Sequence, residues 1–198
     1  MISKMRRRLW LAFAVLAFAA CSPEKPKFNG IDITGADYAK GFTLNDHNGQ
    51  SRSLSDFKGK VVVVFFGYTQ CPDVCPTSMT ELVELKRLLG ADGDKLQGLF
   101  VTVDPARDTP ELLKAYMGNF DPTFVAFIPS VEQLAVVAKD FKIYYKKQEG
   151  KTPTSYTMDH SAGSYVYDTH GNLRLYSRYG SGAQVLAQDI QTLLKTTP

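Results

Sequence analysis

The feature that most constrains the fold is an unbroken run of β-branched and aromatic residues at 61–66. Such a run is typical of a strand that is buried on both faces, which requires helices on the two sides of its sheet. A helical pattern follows at 79–89, where apolar side chains recur at gaps of three and four residues before Gly90. The chain is therefore expected to be an α/β protein.

Strands and helices alternate through the rest of the chain. Residues 42–44 and 51–54 flank a turn at Asn48-Gly49 and indicate a β-hairpin. Together these elements predict a mixed central β-sheet flanked by helices, with this hairpin as an N-terminal extension. The patterns predict strands at 99–103, 124–128 and 143–145, helices at 109–118, 130–139 and 181–194, and a second hairpin from 164–168 and 173–178.

The first 20 residues have the pattern of a secretory signal peptide. Basic residues between Lys4 and Arg8 precede 12 continuous apolar residues at 9–20. This run is shorter than the roughly 20 apolar residues that a membrane-spanning helix needs. The chain is therefore expected to be exported to the cell envelope, with residues 1–20 as the signal.

The end of this run predicts a lipid anchor. Residues 18–21, Phe-Ala-Ala-Cys, resemble a bacterial lipobox, in which the cysteine (here Cys21) is lipidated and becomes the first mature residue. Ordinary signal cleavage after residues 17–19 is the alternative. With Cys21 as the anchor, the remaining two cysteines would form a pair. We expect a tether at 21–41 and a folded domain at 42–198, held at the periplasmic face of a membrane.

The charge of the chain argues against nucleic acid as a partner. Four of the 23 basic side chains lie in the first 20 residues, which carry no acid, so the remaining chain has 19 basic and 20 acidic side chains. Binding to a phosphate backbone requires a basic face. We therefore expect no nucleic-acid partner.

Two cysteines, Cys71 and Cys75, lie between the buried strand and the following helix. Each precedes a proline, which disfavours helical backbone at the cysteine, so both are expected in the loop before the helix. The helix dipole would lower the pKa values of their thiols. Such a pair can close a disulfide, either redox-active or structural, or bind a soft ion such as Cu(I). Structural zinc is disfavoured because it usually requires four protein ligands.

A histidine would complete a copper site, because imidazole suits this metal. His47 and His170 lie in turn sequences and are expected to be solvated. His160 lies in Met-Asp-His-Ser-Ala-Gly, on a loop before the strand predicted at 164–168. It is the best candidate for a third ligand, and a locally hydrogen-bonded loop histidine is the alternative.

Four segments together carry a family resemblance. Residues 42–60 are similar to the opening of thioredoxin-like proteins in general. More specific are 65–76 around the two cysteines, Val-Thr-Val-Asp-Pro-Ala-Arg-Asp-Thr at 101–109, and Asp-His-Ser at 159–161. These segments resemble the Sco family of copper-binding assembly factors for cytochrome oxidase, and the likeness extends from about residue 42 to residue 194.

The resemblance implies a thioredoxin-like fold in which Cys71, Cys75 and His160 bind Cu(I), and also Cu(II). It implies delivery of copper to the CuA centre of cytochrome oxidase subunit II, or reduction of the cysteines of that centre, with upstream copper donors as further partners. The carboxylates of Asp73 and Asp104 are expected close to the metal without binding it.

Two other functions are compatible with the same residues. A thiol–disulfide oxidoreductase of the cell envelope would attack partner disulfides through Cys71 and Cys75. An assembly factor could instead use copper as a signal of redox state rather than as cargo. A metal-binding chaperone is expected rather than an enzyme, because the cysteine spacing is one residue longer than Cys-x-x-Cys. His160 also lies near the place where such enzymes carry a proline.

Overall fold

The computed structural model of the protein describes residues 26–152 and 155–197, so the predicted signal peptide and Cys21 lie outside the described residues. The strands in these residues are β1 (Ile31–Asp32), β2 (Thr43–Asp46), β3 (Ser51–Ser53), β4 (Val61–Gly67), β5 (Leu96–Thr102), β6 (Val125–Ile128), β7 (Tyr145–Gln148), β8 (Thr157–His160), β9 (Ser164–Tyr167) and β10 (Leu173–Ser177). The α-helices are α1 (Val74–Leu88), α2 (Pro110–Gly118), α3 (Val131–Asp140) and α4 (Ala183–Thr196). Short 3-10 helices span Leu54–Phe57 and Gly90–Lys95.

Eight of these strands form one mixed sheet, in the order β1-β10-β9-β4-β5-β6-β2-β3. β4 pairs in parallel with β5, from Val61 opposite Leu96 to Gly67 opposite Thr102, and β5 pairs in parallel with β6. The other neighbouring strands are antiparallel. The prediction of a mixed central sheet is confirmed, and the first hairpin, β2–β3, extends the sheet beyond β6.

The core lies on both faces of the two central strands. Every residue of β4 is buried, as the run at 61–66 predicted, and so is every residue of β5. Leu113 of α2, Leu134 of α3 and Ile190 of α4 are also buried in this core. Burial of side chains of this size contributes roughly 1.5–3 kcal/mol each. The cysteine loop therefore starts from a strand that is buried along its whole length.

Two helices begin at the signals that the sequence carries. The Thr109 hydroxyl accepts a hydrogen bond from the N–H of Leu112 at 3.2 Å, with Pro110 as the first helical residue of α2. At the start of α3, Ser130 and Gln133 form a reciprocal capping box. The predicted N-terminal ends of both helices are thus confirmed.

The residues before the first hairpin also pack on the sheet. Ile31 of β1 lies opposite Tyr176 of β10, because the edge of β10 offers backbone groups that need partners. Ala39 is fully buried, and its carbonyl oxygen accepts a hydrogen bond from the Tyr167 hydroxyl at 2.6 Å. Residues 31–41, part of the predicted tether, are therefore in contact with the folded body.

Among the described residues, β7 and β8 pair only with each other, in a separate antiparallel ribbon. Tyr145 lies opposite His160 in this ribbon. The predicted strand at 143–145 is shifted toward β7, and the prediction of a loop at His160 is wrong because β8 ends at this residue. A four-residue segment is too short for a reliable alternating pattern, so pairing with β7 rather than local sequence makes it a strand.

Candidate metal centre

The segment between β4 and α1 places the two cysteines differently. Cys71 lies in the loop and is half-buried. Cys75 is fully buried in the first turn of α1, so its predicted position in the loop is wrong. Pro76 is tolerated as the next residue because the first N–H groups of a helix have no partner within it.

Gly67, the last residue of β4, allows the sulfur of Cys75 to approach the sheet closely. A β-carbon at this position would lie 2.8 Å from Cys75 Sγ, 2.8 Å from the Phe65 ring and 3.0 Å from the Phe100 ring. Non-bonded carbon atoms normally lie about 3.5–4.0 Å apart. The position of the buried sulfur therefore depends on the absence of a side chain at residue 67.

Strand β8 brings His160 to the cysteines, although it lies 85 residues from Cys75 along the chain. His160 Nε2 is 3.3 Å from Cys75 Sγ, and the main-chain N–H of Cys75 donates a hydrogen bond to Cys71 Sγ at 3.4 Å. The two sulfurs and an imidazole nitrogen all lie within 4.8 Å of one another. The structure thus brings together three residues that the sequence singled out.

The surroundings of His160 fix its ring and its tautomer. Nδ1 lies 3.0 Å from the carbonyl oxygen of Ser161, which can only accept, so Nδ1 carries the proton in this contact. Nε2 of the neutral ring then presents its lone pair toward the sulfurs, as a metal ligand requires. The rings of Phe65 and Tyr68 meet the imidazole edge-to-face, with centroids 6.1 and 5.8 Å from it.

The pKa values of the two thiols are shifted in opposite directions. The hydrogen bond from the Cys75 thiol, together with those from the main-chain N–H groups of Asp73 and Cys75, lowers the pKa of Cys71 to about 4. The hydrogen bond to Cys71, followed by burial, raises the pKa of Cys75 far above its usual value. The pair therefore shares one proton near neutral pH, with Cys71 as the thiolate and Cys75 as the thiol.

This donor set suits a soft metal ion of low coordination number. Metal–ligand bonds of about 2.0–2.3 Å place the three ligand atoms of a trigonal site about 3.5–4 Å apart. The observed separations, all within 4.8 Å, require only small movements to reach that geometry. Thiolates select soft ions such as Cu(I), and imidazole also suits copper.

The site opens into a cleft of about 490 Å³. Cys71 and His160 line this cleft, together with Tyr68, Tyr144 and Met158. A group of another molecule can reach Cys71 and His160 from solvent, whereas Cys75 is fully buried and cannot be reached.

The two carboxylates expected near the metal have different environments. Asp73 precedes the first residue of α1, and its side chain is exposed and makes no capping hydrogen bond. Asp104 is buried, and its carboxylate accepts hydrogen bonds from Arg107 Nε at 2.5 Å and from the Tyr156 hydroxyl at 2.8 Å. Neither Arg107 nor Tyr156 was predicted from the sequence as a site residue.

Asp108 was missed as well, and it fixes the start of the cysteine loop. Its carboxylate accepts a 2.6 Å hydrogen bond from the Thr69 hydroxyl and contacts the Thr69 main-chain N–H at 3.2 and 3.3 Å. Burial raises the pKa of Asp108. The only sequence signal was its place in the segment 101–109, where Asp104 alone was selected.

The other two histidines lie outside this three-residue group. His47 Nδ1 accepts a hydrogen bond from the N–H of Ala126 at 3.0 Å, and burial lowers its pKa. The prediction of a solvated side chain is therefore wrong for His47, which helps to hold β2 against β6. His170 is exposed in the turn between β9 and β10, as predicted.

The mixed sheet and the cysteine–histidine group define a thioredoxin-like protein with a donor set suited to a soft metal ion at a helix start. The family model described as SCO1/SenC matches residues 32–195. The chain belongs to the SCO1/SenC family. A relative named "SCO2-like protein" from Rickettsia felis is 34% identical over 153 residues, which cover 76% of this chain and 75% of the relative.

Solved structures agree with this assignment. Copper-bound ScoI of Bradyrhizobium japonicum is 38% identical, with a TM-score of 0.69 over 76% of this chain and 96% of that chain. BsSco, described as a member of the Sco family of cytochrome c oxidase assembly proteins, is 21% identical, with a TM-score of 0.64 over 83% and 98% of the two chains. The predicted thioredoxin-like fold is confirmed by these similarities.

Proposed function

We propose that the protein binds copper through Cys71, Cys75 and His160 and passes it to a partner protein. The observation that carries this proposal is the meeting of two sulfurs and one imidazole nitrogen, from distant segments, within 4.8 Å. The copper-bound ScoI of Bradyrhizobium japonicum, which is 38% identical, supports copper as the metal. Four-coordinate structural zinc would need a ligand beyond these three.

The site is suited to copper as cargo rather than as a permanent component. Cys71 is already a thiolate near neutral pH, whereas Cys75 must lose its proton when the metal binds. Three ligands leave Cu(I) open to a further thiolate, which can enter through the cleft at Cys71 and His160. Copper can then move by ligand exchange, without release of a free ion.

The proposed acceptor is the CuA centre of cytochrome oxidase subunit II, and upstream copper donors would load the protein. Membership of the SCO1/SenC family supports this assignment, since BsSco is described as belonging to a family of cytochrome c oxidase assembly proteins. Reduction of the CuA cysteines, to prepare them for copper, is the second activity proposed for the same site.

Titration of the purified chain with Cu(I) under reducing conditions tests the metal site. We expect one copper per chain and, by X-ray absorption, both sulfur and nitrogen ligands. His160→Ala should lower the affinity and abolish the nitrogen signal, because Nε2 is the only imidazole nitrogen in the group. His170→Ala is the matched control, because this histidine is exposed in a turn. Unchanged copper binding in His160→Ala would contradict the proposal.

A thiol–disulfide oxidoreductase is the second candidate function. It is favoured by the position of Cys71, which lines the cleft and whose sulfur accepts a hydrogen bond from the main-chain N–H of Cys75 at 3.4 Å, in keeping with a lowered pKa of about 4. The Cys71 thiolate would attack a partner disulfide and release one partner thiolate. Cys75 would then give its proton to the released partner thiolate and attack the mixed disulfide, which forms a Cys71–Cys75 disulfide and releases the second partner thiolate.

The two functions respond differently to His160→Ala. Loss of the imidazole should sharply weaken copper binding, whereas single-turnover reduction of a model disulfide should largely persist. Cys75→Ser should stop the reduction at the mixed disulfide. Full reductase activity with no copper affinity in the unaltered protein would favour the oxidoreductase.

The proposed location is the periplasmic face of a membrane, with Cys21 as a lipid anchor. No helix within the described part of the chain is long and apolar enough to cross a bilayer. The proposal rests on the lipobox-like residues 18–21. Cys21→Ala should release the protein from the membrane fraction and abolish incorporation of a labelled fatty acid. Retention of both properties would contradict this anchor.

A further inference from the structure

A compact cluster of side chains joins the two segments that carry the sulfur and imidazole groups. Arg107 Nε bonds to Asp104 Oδ2 at 2.5 Å, and the side chains of these residues are 13% and 4% exposed. The guanidinium group also lies over the Tyr156 ring, with Cζ 3.5 Å from the ring centroid. The Tyr156 hydroxyl donates a hydrogen bond to Asp104 Oδ1 at 2.8 Å, which closes a three-membered cluster.

This cluster reaches the cysteine loop through Arg107. Arg107 Nη1 donates a hydrogen bond to Gln70 Oε1 at 3.1 Å, and Gln70 immediately precedes Cys71. The Arg107 guanidinium also lies 5.8 Å from the centroid of the Tyr68 ring, which contacts His160 edge-to-face. One side chain therefore lies against two residues, Tyr68 and Gln70, of the segment that leads into Cys71.

The same cluster reaches β8, the strand that ends at His160. Arg107 Nη1 donates a second hydrogen bond, at 2.9 Å, to the main-chain carbonyl of Tyr156, the residue directly before β8. Within the described residues β8 pairs only with β7, and an isolated two-stranded ribbon is marginally stable in water. Contacts outside the ribbon must therefore fix its position relative to the cysteine loop.

A half-buried or buried ion pair is weak evidence for a stabilising role, because desolvation offsets much of its attraction. Specific geometry is the better explanation for such a pair. Arg107 combines a carboxylate contact, a stacked aromatic ring and two carbonyl acceptors, which a planar guanidinium can satisfy together and an ammonium group cannot.

We propose that Arg107, Asp104 and Tyr156 form a clamp that positions His160 for metal binding, by holding the start of β8 against the loop of Cys71. The three are positioning residues, since none belongs to the metal-ligand group itself. The inference rests on the proposed function in one respect: the metal used to read it out is copper. The clamp itself is a property of the metal-free protein.

The first test measures Cu(I) affinity of the full chain in a double-mutant cycle. Arg107→Leu should weaken binding by about 10-fold or more, the range typical of residues that orient metal ligands. In the His160→Ala background the same change should have little further effect, because the ligand that it positions is already absent. Tyr156→Phe, which keeps the stacked ring and loses the hydrogen bond to Asp104, should show the same dependence with a smaller loss.

Arg174→Leu provides the matched control. Arg174 is also 13% exposed, pairs with the buried Asp168 at 3.2 Å and lies 5.7 Å from an aromatic ring, that of Phe28. It should leave copper affinity unchanged. Equal losses from Arg107→Leu with and without His160, or equal losses from Arg107→Leu and Arg174→Leu, would overturn the clamp.

A second test needs no metal and therefore separates failure of the clamp from failure of the proposed function. Nuclear Overhauser contacts between the rings of His160 and Tyr68 should be present in the metal-free protein and weakened in Tyr156→Phe and Arg107→Leu. They should persist in Arg174→Leu. Intact ring contacts in Tyr156→Phe and Arg107→Leu would refute the clamp. If the unaltered protein bound no copper while the ring contacts weakened in Tyr156→Phe and Arg107→Leu, only the copper proposal would be refuted.

Discussion

Gly67→Ala tests whether close packing behind the cysteines sets the metal site. The new β-carbon would lie 2.8 Å from Cys75 Sγ and 2.8 Å from the Phe65 ring, on a strand that is buried along its whole length. Relief of these contacts requires movements of about 0.7–1.2 Å, the difference from normal non-bonded separations of about 3.5–4.0 Å. The rigid β4 cannot move easily, so the sulfur and the ring must shift.

Two consequences follow for stability and for copper binding. Overpacking of a core typically costs about 1–3 kcal/mol. For a chain of this size each kcal/mol lowers Tm by about 2–4 °C, so Gly67→Ala should lower Tm by about 2–12 °C. Displacement of the Cys75 sulfur away from His160 should also weaken Cu(I) binding by about 10-fold, comparable to other changes that disturb ligand orientation.

Thermal unfolding by circular dichroism and competition with a chromophoric Cu(I) chelator measure these effects. Gly118→Ala is the control, because Gly118 ends α2 and a β-carbon there would meet no atom within 4 Å. Alanine is favoured over glycine in a helix by up to about 1 kcal/mol, so this variant should be unchanged or slightly more stable. If Gly67→Ala matched Gly118→Ala in both Tm and copper affinity, the packing argument would be wrong.

Three further predictions concern protonation and local structure. Because the hydrogen bond from Cys75 lowers the pKa of Cys71 to about 4, the thiolate absorbance should appear on titration near that pH, and Cys75→Ala should shift it upward; a midpoint near 9 in the unaltered protein would contradict this. Burial raises the pKa of Asp108 above 3.8, so the folded state holds this proton more strongly than the unfolded chain; the contribution of Asp108 to stability is most favourable below pH 3.8 and declines as pH rises through its folded pKa. The free energy of unfolding, measured with urea at several pH values, should show this decline in the unaltered protein and not in Asp108→Asn. Equal pH dependence of the two proteins would refute the prediction. Ser130→Ala should lower the free energy of unfolding by about 1 kcal/mol through loss of the capping box at α3, measured in the same experiment. A loss below about 0.3 kcal/mol would indicate that water replaces the serine hydroxyl at the helix start.

Local patterns determined most of the secondary structure. The run at 61–66 became β4, the most buried strand together with β5, because only a central strand can bury every side chain. Ser130 and Thr109 marked helix starts correctly, because capping is an interaction between residues three apart in sequence. The sequence also singled out Cys71, Cys75 and His160 as candidate ligands, because few residue types can bind a soft metal ion, and the structure brings the three together.

Tertiary structure alone decided how those three residues meet. His160 ends a strand that exists only through pairing with β7, and its imidazole reaches a sulfur 85 residues away because Gly67 leaves room behind that sulfur. Arg107 lies in the segment 101–109 that carries the resemblance, but neither it nor Tyr156 was predicted as a site residue, because the two side chains meet only in the folded chain. Contacts between distant segments depend on the path of the whole chain, whereas caps, turns and buried strands depend on neighbours that the sequence already places side by side.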